Sequence, residues 1–289
     1  MRGLVFGLAG LALTGVAAFT GAKAMLSLAN APSAFFDGET YEDIAFSDTG
    51  LELDVYVPEG PSDTPYPVVV FFYGGSWQWG TRTDYPFVGM TLAKEGFVTV
   101  IPDYRKFPEV RFPGFVEDGA EALAWVRANI AGYGGDPERV HVMGHSAGAH
   151  IAALLTFDER YLEEAGTPGL IQSLVGLAGP YNFTPDEQVF VDIFGPEAQF
   201  PQMQVPTFVD GNEAPALLLH GLDDDIVGDR HTRELKQAVA DAGGCAKTIY
   251  YPDVDHIEVM SSFTWVFRDS EPMVHDVVRY LKQVPDVPC

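Results

Sequence analysis

Positive charge is scarce in this chain: 17 Lys and Arg stand against 41 Asp and Glu over 289 residues, a formal charge of −24. That balance repels phosphate backbones and anionic membrane surfaces, which excludes nucleic acid as a partner class. It otherwise describes a strongly solvated surface, as in proteins adapted to salt, and says little about chemistry. Cysteine is rarer still, with only Cys245 and Cys289, and neither has the neighbours of a catalytic thiol. The seven histidines show no zinc spacing, and the run Asp223-Asp224-Asp225 lacks the regular ligand spacing of a calcium loop. No metal or cofactor is therefore expected. No repeat or low-complexity segment interrupts the chain. What is abundant is apolar residue, 47% of the sequence, ample for one well-buried core and hence a single domain.

The first residues stand apart. Met1 and Arg2 precede an apolar run from Gly3 to about Thr20, followed by Ala22-Lys23-Ala24. This order fits a bacterial-type secretory signal over residues 1–31, with retention as an N-terminal membrane anchor as the alternative, since the run is marginally long enough to span a bilayer. Either way the remainder, 32–289, is expected outside the cytoplasm, periplasmic or secreted. In an oxidising compartment a Cys245 to Cys289 disulfide is the expected state of the two thiols.

Residues 41–58 and Val68 to Tyr73 read as strands, the first stretch alternating and broken at Thr49-Gly50, the second continuously apolar as in a strand buried on both faces. Strand and helix then alternate: Phe97 to Pro102, Val116 to Ile130, Val140 to Met143, Ala147 to Thr156. The rhythm returns at Ser173 to Leu177, Ala216 to His220, Arg230 to Ala242, Lys247 to Tyr251 and Pro272 to Lys282. Such alternation predicts an α/β fold with a mostly parallel central sheet flanked by helices. Tyr181 to Ala214 breaks the rhythm. Rich in Pro, Phe, Gln and Asp, it is expected to form a small cap, because long structureless loops are uncommon in compact domains.

The chemistry concentrates at strand ends. Gly144-His145-Ser146-Ala147-Gly148 lies between a buried strand and a helix, a context in which a sharp turn strains the serine and small residues let strand and helix approach closely. A serine hydroxyl needs a base, and the base needs a carboxylate to hold its tautomer. Strand Ala216 to His220 leads into Asp223-Asp224-Asp225, and strand Lys247 to Tyr251 into a loop carrying His256. Loops at the carboxyl ends of strands are where sites gather in open α/β sheets. The other histidines abut strands, flank the serine turn or fall in helices, so His256 is the candidate base. Gly74 and Gly75 follow a buried strand and, with the N–H of Ala147, can offer backbone donors to a developing oxyanion. Trp77 and Trp79 are candidates for lining a substrate pocket, with packing under the loop the alternative.

With these residues assembled, the stretch from about residue 40 to 285 resembles the esterase and lipase branch of the α/β-hydrolases, which includes the hormone-sensitive-lipase-like and feruloyl-esterase-like carboxylesterases. The resemblance rests on Tyr73-Gly74-Gly75-Ser76-Trp77, Asp103-Tyr104-Arg105, Phe112-Pro113 with Asp118, Gly134-Gly135-Asp136-Pro137 and the serine turn. The departure is Tyr73, where a His-Gly-Gly-Gly element would put histidine. The resemblance implies Asp224 as the carboxylate, four residues past His220 and three before Val227, with Asp223 and Asp225 solvated. It also implies a small-molecule ester substrate, an acyl-enzyme on Ser146, and structural roles for Asp103, Asp118 and Asp136. Relatives with a Gly-Gly-x-Trp loop hydrolyse aryl formamides and some exopeptidases share the Asp224 pattern, so an amide hydrolase is the alternative. A non-catalytic binding protein on the same fold would be expected to lack a triad member. A membrane-surface lipase sits poorly with the acidity.

Overall fold

A computed structural model of the chain describes residues 36–264 and 272–284. The expected leader at 1–31 and Cys289 lie outside those residues. Among the described ones, no helix is long and apolar enough to cross a membrane.

In chain order the elements are β1 (Glu39–Ala45), β2 (Glu52–Val57), β3 (Tyr66–Phe72), α1 (Pro86–Lys94), β4 (Val98–Pro102), α2 (Gly114–Asn129), β5 (Gly135–His145) and α3 (Ala147–Phe157). They continue with α4 (Glu159–Glu164), β6 (Ile171–Leu177), α5 (Gln188–Phe194), β7 (Ala216–Gly221), α6 (Arg230–Asp241), β8 (Ala246–Tyr251) and α7 (Met273–Gln283). Among the described residues, eight strands form one sheet in the order β1-β2-β4-β3-β5-β6-β7-β8. The pairs β1/β2 and β2/β4 are antiparallel and the rest are parallel. The sequence pattern anticipates this mostly parallel sheet. β3 and β5 are central, covered on both faces, and so read as unbroken apolar runs; the last five residues of β3 are all buried.

Helix patterning follows position. All eleven residues of α3 are buried, so it has no polar face. On α6, His231, Thr232, Leu235 and Val239 are buried, the spacing of one face of a surface helix. Two elements are unheralded by the sequence pattern. α1 buries Phe87, Val88, Gly89, Thr91, Leu92 and Ala93, leaving too little polar residue for a 3.6-residue stripe to stand out. α4 is only six residues long. β5 also starts earlier than Val140, because Gly135 already pairs with Tyr66 of β3.

The stretch 181–214 holds α5 and two short 3-10 segments, Glu197–Gln202 and Val205–Phe208. It lies against α3: His150 Nε2 donates to the Met203 carbonyl at 2.7 Å. It also lies on the loop after β3, where Trp77 stacks on Phe183 at 5.6 Å and meets Phe194 edge-on at 4.7 Å.

Candidate active site

Ser146 occupies the one-residue turn between β5 and α3, with φ 54° and ψ −122°. For a residue with a Cβ this is strained backbone, of order 1–3 kcal/mol, and it persists only where the surroundings enforce it. Two features do. The N–H of Ser146 donates to the carbonyl of Leu177 at the end of β6, at 2.9 Å. Strand and helix also approach too closely for any side chain: a Cβ on Gly148 would sit 2.0 Å from the Phe72 carbonyl oxygen, and one on Gly144 2.3 Å from that of Gly148.

The loops after β7 and β8 bring the other two candidates to this turn. His256 Nε2 lies 2.9 Å from Ser146 Oγ, and His256 Nδ1 lies 2.8 Å from Asp224 Oδ2. Asp223 and Asp225 are exposed, whereas Asp224 is buried at 9%. The backbone explains the selection. Asp224 Oδ1 accepts from the N–H groups of Ile226 at 3.0 Å and Val227 at 2.8 Å, which closes the turn on that carboxylate alone. Burial raises the Asp224 pKa, but hydrogen bonds from His220, His256 and the Val227 N–H outweigh it and hold the carboxyl well below its usual range. Asp224 is thus an anion aimed at Nδ1, so that Nε2 is left to accept the Ser146 proton. Among the described residues, no group of three or more His, Cys, Asp or Glu is arranged to hold a metal ion.

The loop from Tyr73 to Arg82 closes the other side. Gly74 lies against the nucleophile turn: a Cβ there would sit 3.1 Å from both Ser146 Cβ and His145 Nδ1. Gly75 has φ 131°, and a Cβ would meet the Trp79 carbonyl oxygen at 2.3 Å. The backbone bonds that knit this loop use the Gly75 carbonyl, not the N–H of Gly74 or Gly75. The N–H of Ala147, in the first turn of α3, has no intrahelical partner by construction. Gly74 and Ala147 thus flank Ser146, and Gly75 follows Gly74 in the same loop. The two tryptophans part company. Trp77 is 3% exposed and fills an aromatic cluster under the 181–214 segment, while Trp79 is 56% exposed beside Gly75.

Arg82 escapes a reading of the sequence, whereas Asp103 takes a structural role of the kind the resemblance implies. Asp103 grips both ends of this loop, accepting from Tyr73 OH at 2.6 Å and from Arg82 through its N–H at 2.9 Å and its Nη1 at 2.6 Å. Arg82 is buried among Asp43, Glu52, Asp54 and Asp103. Tyr73 is therefore no mere stand-in for histidine: it is stacked on Tyr104 at 4.6 Å, and the Tyr104 hydroxyl donates to its carbonyl. His145, beside the serine, donates from Nε2 to the His256 carbonyl at 2.9 Å and is pushed down to about 3 by burial and the nearby His256. Asp118 and Asp136 brace loops as expected, through Arg105 and Arg139.

A serine in a strained strand-to-helix turn, met by a histidine and a carboxylate from neighbouring strand ends of a mostly parallel sheet, makes this fold an α/β-hydrolase. Solved structures agree on the architecture: esterase B from Lactobacillus Rhamnosis (HN001) superposes with a TM-score of 0.78 over 92% of both chains at 18% identity. A truncated carbohydrate esterase from gut microbiota does so with 0.76 over 86% of this chain and 96% of that one, at 19% identity. The chain belongs to the BD-FAE family, whose model matches residues 53–239. It is similar to the isoprenylcysteine alpha-carbonyl methylesterase ICME of Arabidopsis thaliana, 30% identical over 251 residues, covering 78% of this chain and 58% of that protein. It is also 32% identical to esterase LipC of Mycobacterium tuberculosis over 196 residues, 61% of this chain and 48% of that one. The chain spans about half the length of the curated relatives it matches.

Proposed function

We propose that this chain is a serine carboxylesterase acting on small, short-chain acyl esters. The observation that carries the reading is the unbroken path from Ser146 Oγ through His256 to Asp224, with contacts of 2.9 and 2.8 Å. In the first step Ser146 Oγ attacks the ester carbonyl while His256 Nε2 takes its proton. Asp224 keeps His256 in the tautomer that can accept and stabilises the imidazolium. The N–H groups of Gly74, Gly75 and Ala147 receive the developing oxyanion. Collapse expels the alcohol, which takes the proton back from His256, and leaves an acyl-enzyme. Water, deprotonated by His256, then releases the acid.

The surroundings of Ser146 bear on substrate size. His150, whose N–H bonds the Ser146 carbonyl, meets Trp77 at 5.3 Å, and Trp77 is packed by Phe183 and Phe194 from the capping segment. That aromatic wall supports a short acyl side. The loops of Asp224 and His256 offer exposed Leu222, Ile226 and Ile257, which together with Trp79 suit an apolar alcohol group. Several curated relatives are named as esterases, LipC and LipQ of Mycobacterium tuberculosis among them. Residues 1–31 are read as the export signal of the same enzyme, which blocking of signal-peptide cleavage and fractionation would test.

Initial rates on p-nitrophenyl acetate, butyrate, octanoate and palmitate, beside an aryl formamide and a dipeptidyl anilide, test the proposal. Rates should peak at short acyl chains and fall by about 10⁴-fold or more in Ser146→Ala. Preference for the formamide or anilide would keep the triad and move the chain to the amide hydrolases.

A further inference from the structure

His220, the penultimate residue of β7, lies directly behind Asp224 and takes no part in the steps above. It is fully buried, as is Thr232 on α6. Its Nε2 sits 2.7 Å from the Val227 carbonyl oxygen and 3.3 Å from Asp224 Oδ2, the same oxygen that His256 Nδ1 contacts. Its Nδ1 lies 2.8 Å from Thr232 Oγ1. A carbonyl only accepts, so Nε2 carries the hydrogen, and the Thr232 hydroxyl is left to donate to Nδ1 in the neutral ring. Val227 completes a closed circuit, since its N–H donates to Asp224 Oδ1 while its carbonyl holds His220.

We infer that His220, fixed in its Nε2–H tautomer by the Val227 carbonyl and backed at Nδ1 by the Thr232 hydroxyl, is a positioning residue that shares Asp224 with His256 and tempers how strongly that carboxylate draws on the His256 proton. The nearer acceptor of the His220 N–H is Val227; Oδ2 is the longer, second partner of the same hydrogen. Its effect on Asp224 is therefore partly steric, holding the Asp224–Val227 turn, and partly electrostatic, opposing the charge on Oδ2. The sign follows. Without that N–H, Oδ2 is a stronger acceptor, protonated His256 is better stabilised, and His256 loses its proton at higher pH. The titratable groups facing this array are His145 from β5 and His231 on α6, while Asp255 and Glu258 lie nearby in the chain, in the loop of His256. The last two are engaged with each other's backbone rather than with His256: Glu258 accepts from the Asp255 N–H and Asp255 from that of Glu258.

This inference rests on the triad reading above, but its test does not require turnover. NMR titration of the His256 ring in the full chain reads the midpoint directly, with the acid limb of kcat/KM on p-nitrophenyl acetate as a second measure. His220→Phe should raise the midpoint by about half a pH unit or more, since one net hydrogen bond corresponds to roughly that shift, and Thr232→Val, which removes the donor to Nδ1 and so weakens Nε2–H as a donor, should raise it by less. His220→Gln places an amide N–H near the position of Nε2 and should keep the wild-type midpoint. Thr232→Val leaves His220 in place and carries the test if His220→Phe does not fold. A midpoint unmoved or lowered in the folded variants would overturn the inference, whereas loss of Ser146-dependent esterase activity in the wild type would overturn the functional reading and leave this result standing.

Discussion

On one side of Ser146, the loop from Tyr73 to Arg82 is held by side chains and charge: Asp103 grips both ends, and Arg82 sits among four carboxylates. On the other, the turn from Asp224 to Val227 is held by its own backbone, two N–H groups converging on one carboxylate oxygen. The first arrangement needs distant residues from β1, β2 and the loop just after β4 to meet. The second is local, spanning four residues. An acidic chain with few cations can afford only a few such charge clamps, and it has buried Arg82 where several acidic strand residues converge. Asp54 shows the cost: burial raises its pKa, against the pull of the Asp43 N–H and Arg82.

Four substitutions would break or sharpen this contrast. The largest effect is expected at the local turn. Asp224→Asn loses the anion that fixes His256, so esterase kcat should fall by about 10³ to 10⁴-fold, with some loss of stability because the folded state favours the ionised carboxylate. On the charge-held side, Arg82→Met strands Asp54 and Asp103 without their cation and should cost about 3–5 kcal/mol in denaturant unfolding, with activity lost in step with folding. If it proved neutral, the clamp would be ornamental. Gly75→Ala forces a Cβ into the Trp79 carbonyl at a positive φ. It should displace the oxyanion donors and lower kcat by about 10² to 10³-fold while KM moves little.

The smallest effect concerns neither loop. His141, His145, His150 and His231 are buried, and burial, the main cause in each, pushes them down to about 4, 3, 4 and 4. They fold neutral and gain protons on unfolding, so the unfolded state binds more protons between about pH 6.5 and pH 4, and stability falls as pH falls through that window. Each contributes up to about 1.4 kcal/mol per pH unit. His141→Gln, on β5 away from the triad, should flatten that slope by one histidine's share in urea unfolding at pH 7, 6 and 5.

The parallel sheet was legible because central strands such as β3 must be apolar throughout, and a run of valine and phenylalanine bounded by turns has few other homes. The serine turn was legible because its steric demands are written into Gly144 and Gly148. Asp224 was legible only through family resemblance: Asp223 and Asp225 carry the same side chain, and what separates the three is which carboxylate the N–H groups of Ile226 and Val227 reach. The sequence leaves Trp77 open between pocket lining and packing. In the fold it packs against Phe183 and Phe194 of the 181–214 segment, contacts set by residues more than 100 positions away.

By itself, then, the sequence determined what depends on neighbours along the chain: the strand and helix periods, the strained turn at Ser146, and the order serine, aspartate, histidine. Tertiary structure decided whatever depends on neighbours in space. It joined Asp103 to both ends of the Tyr73–Arg82 loop, set His220 behind Asp224, and gathered the carboxylates around Arg82. The contacts of Asp103 and Arg82 join residues 21 to 39 positions apart, and hydrogen bonds at that separation leave no period in the chain because only the fold brings their partners within reach.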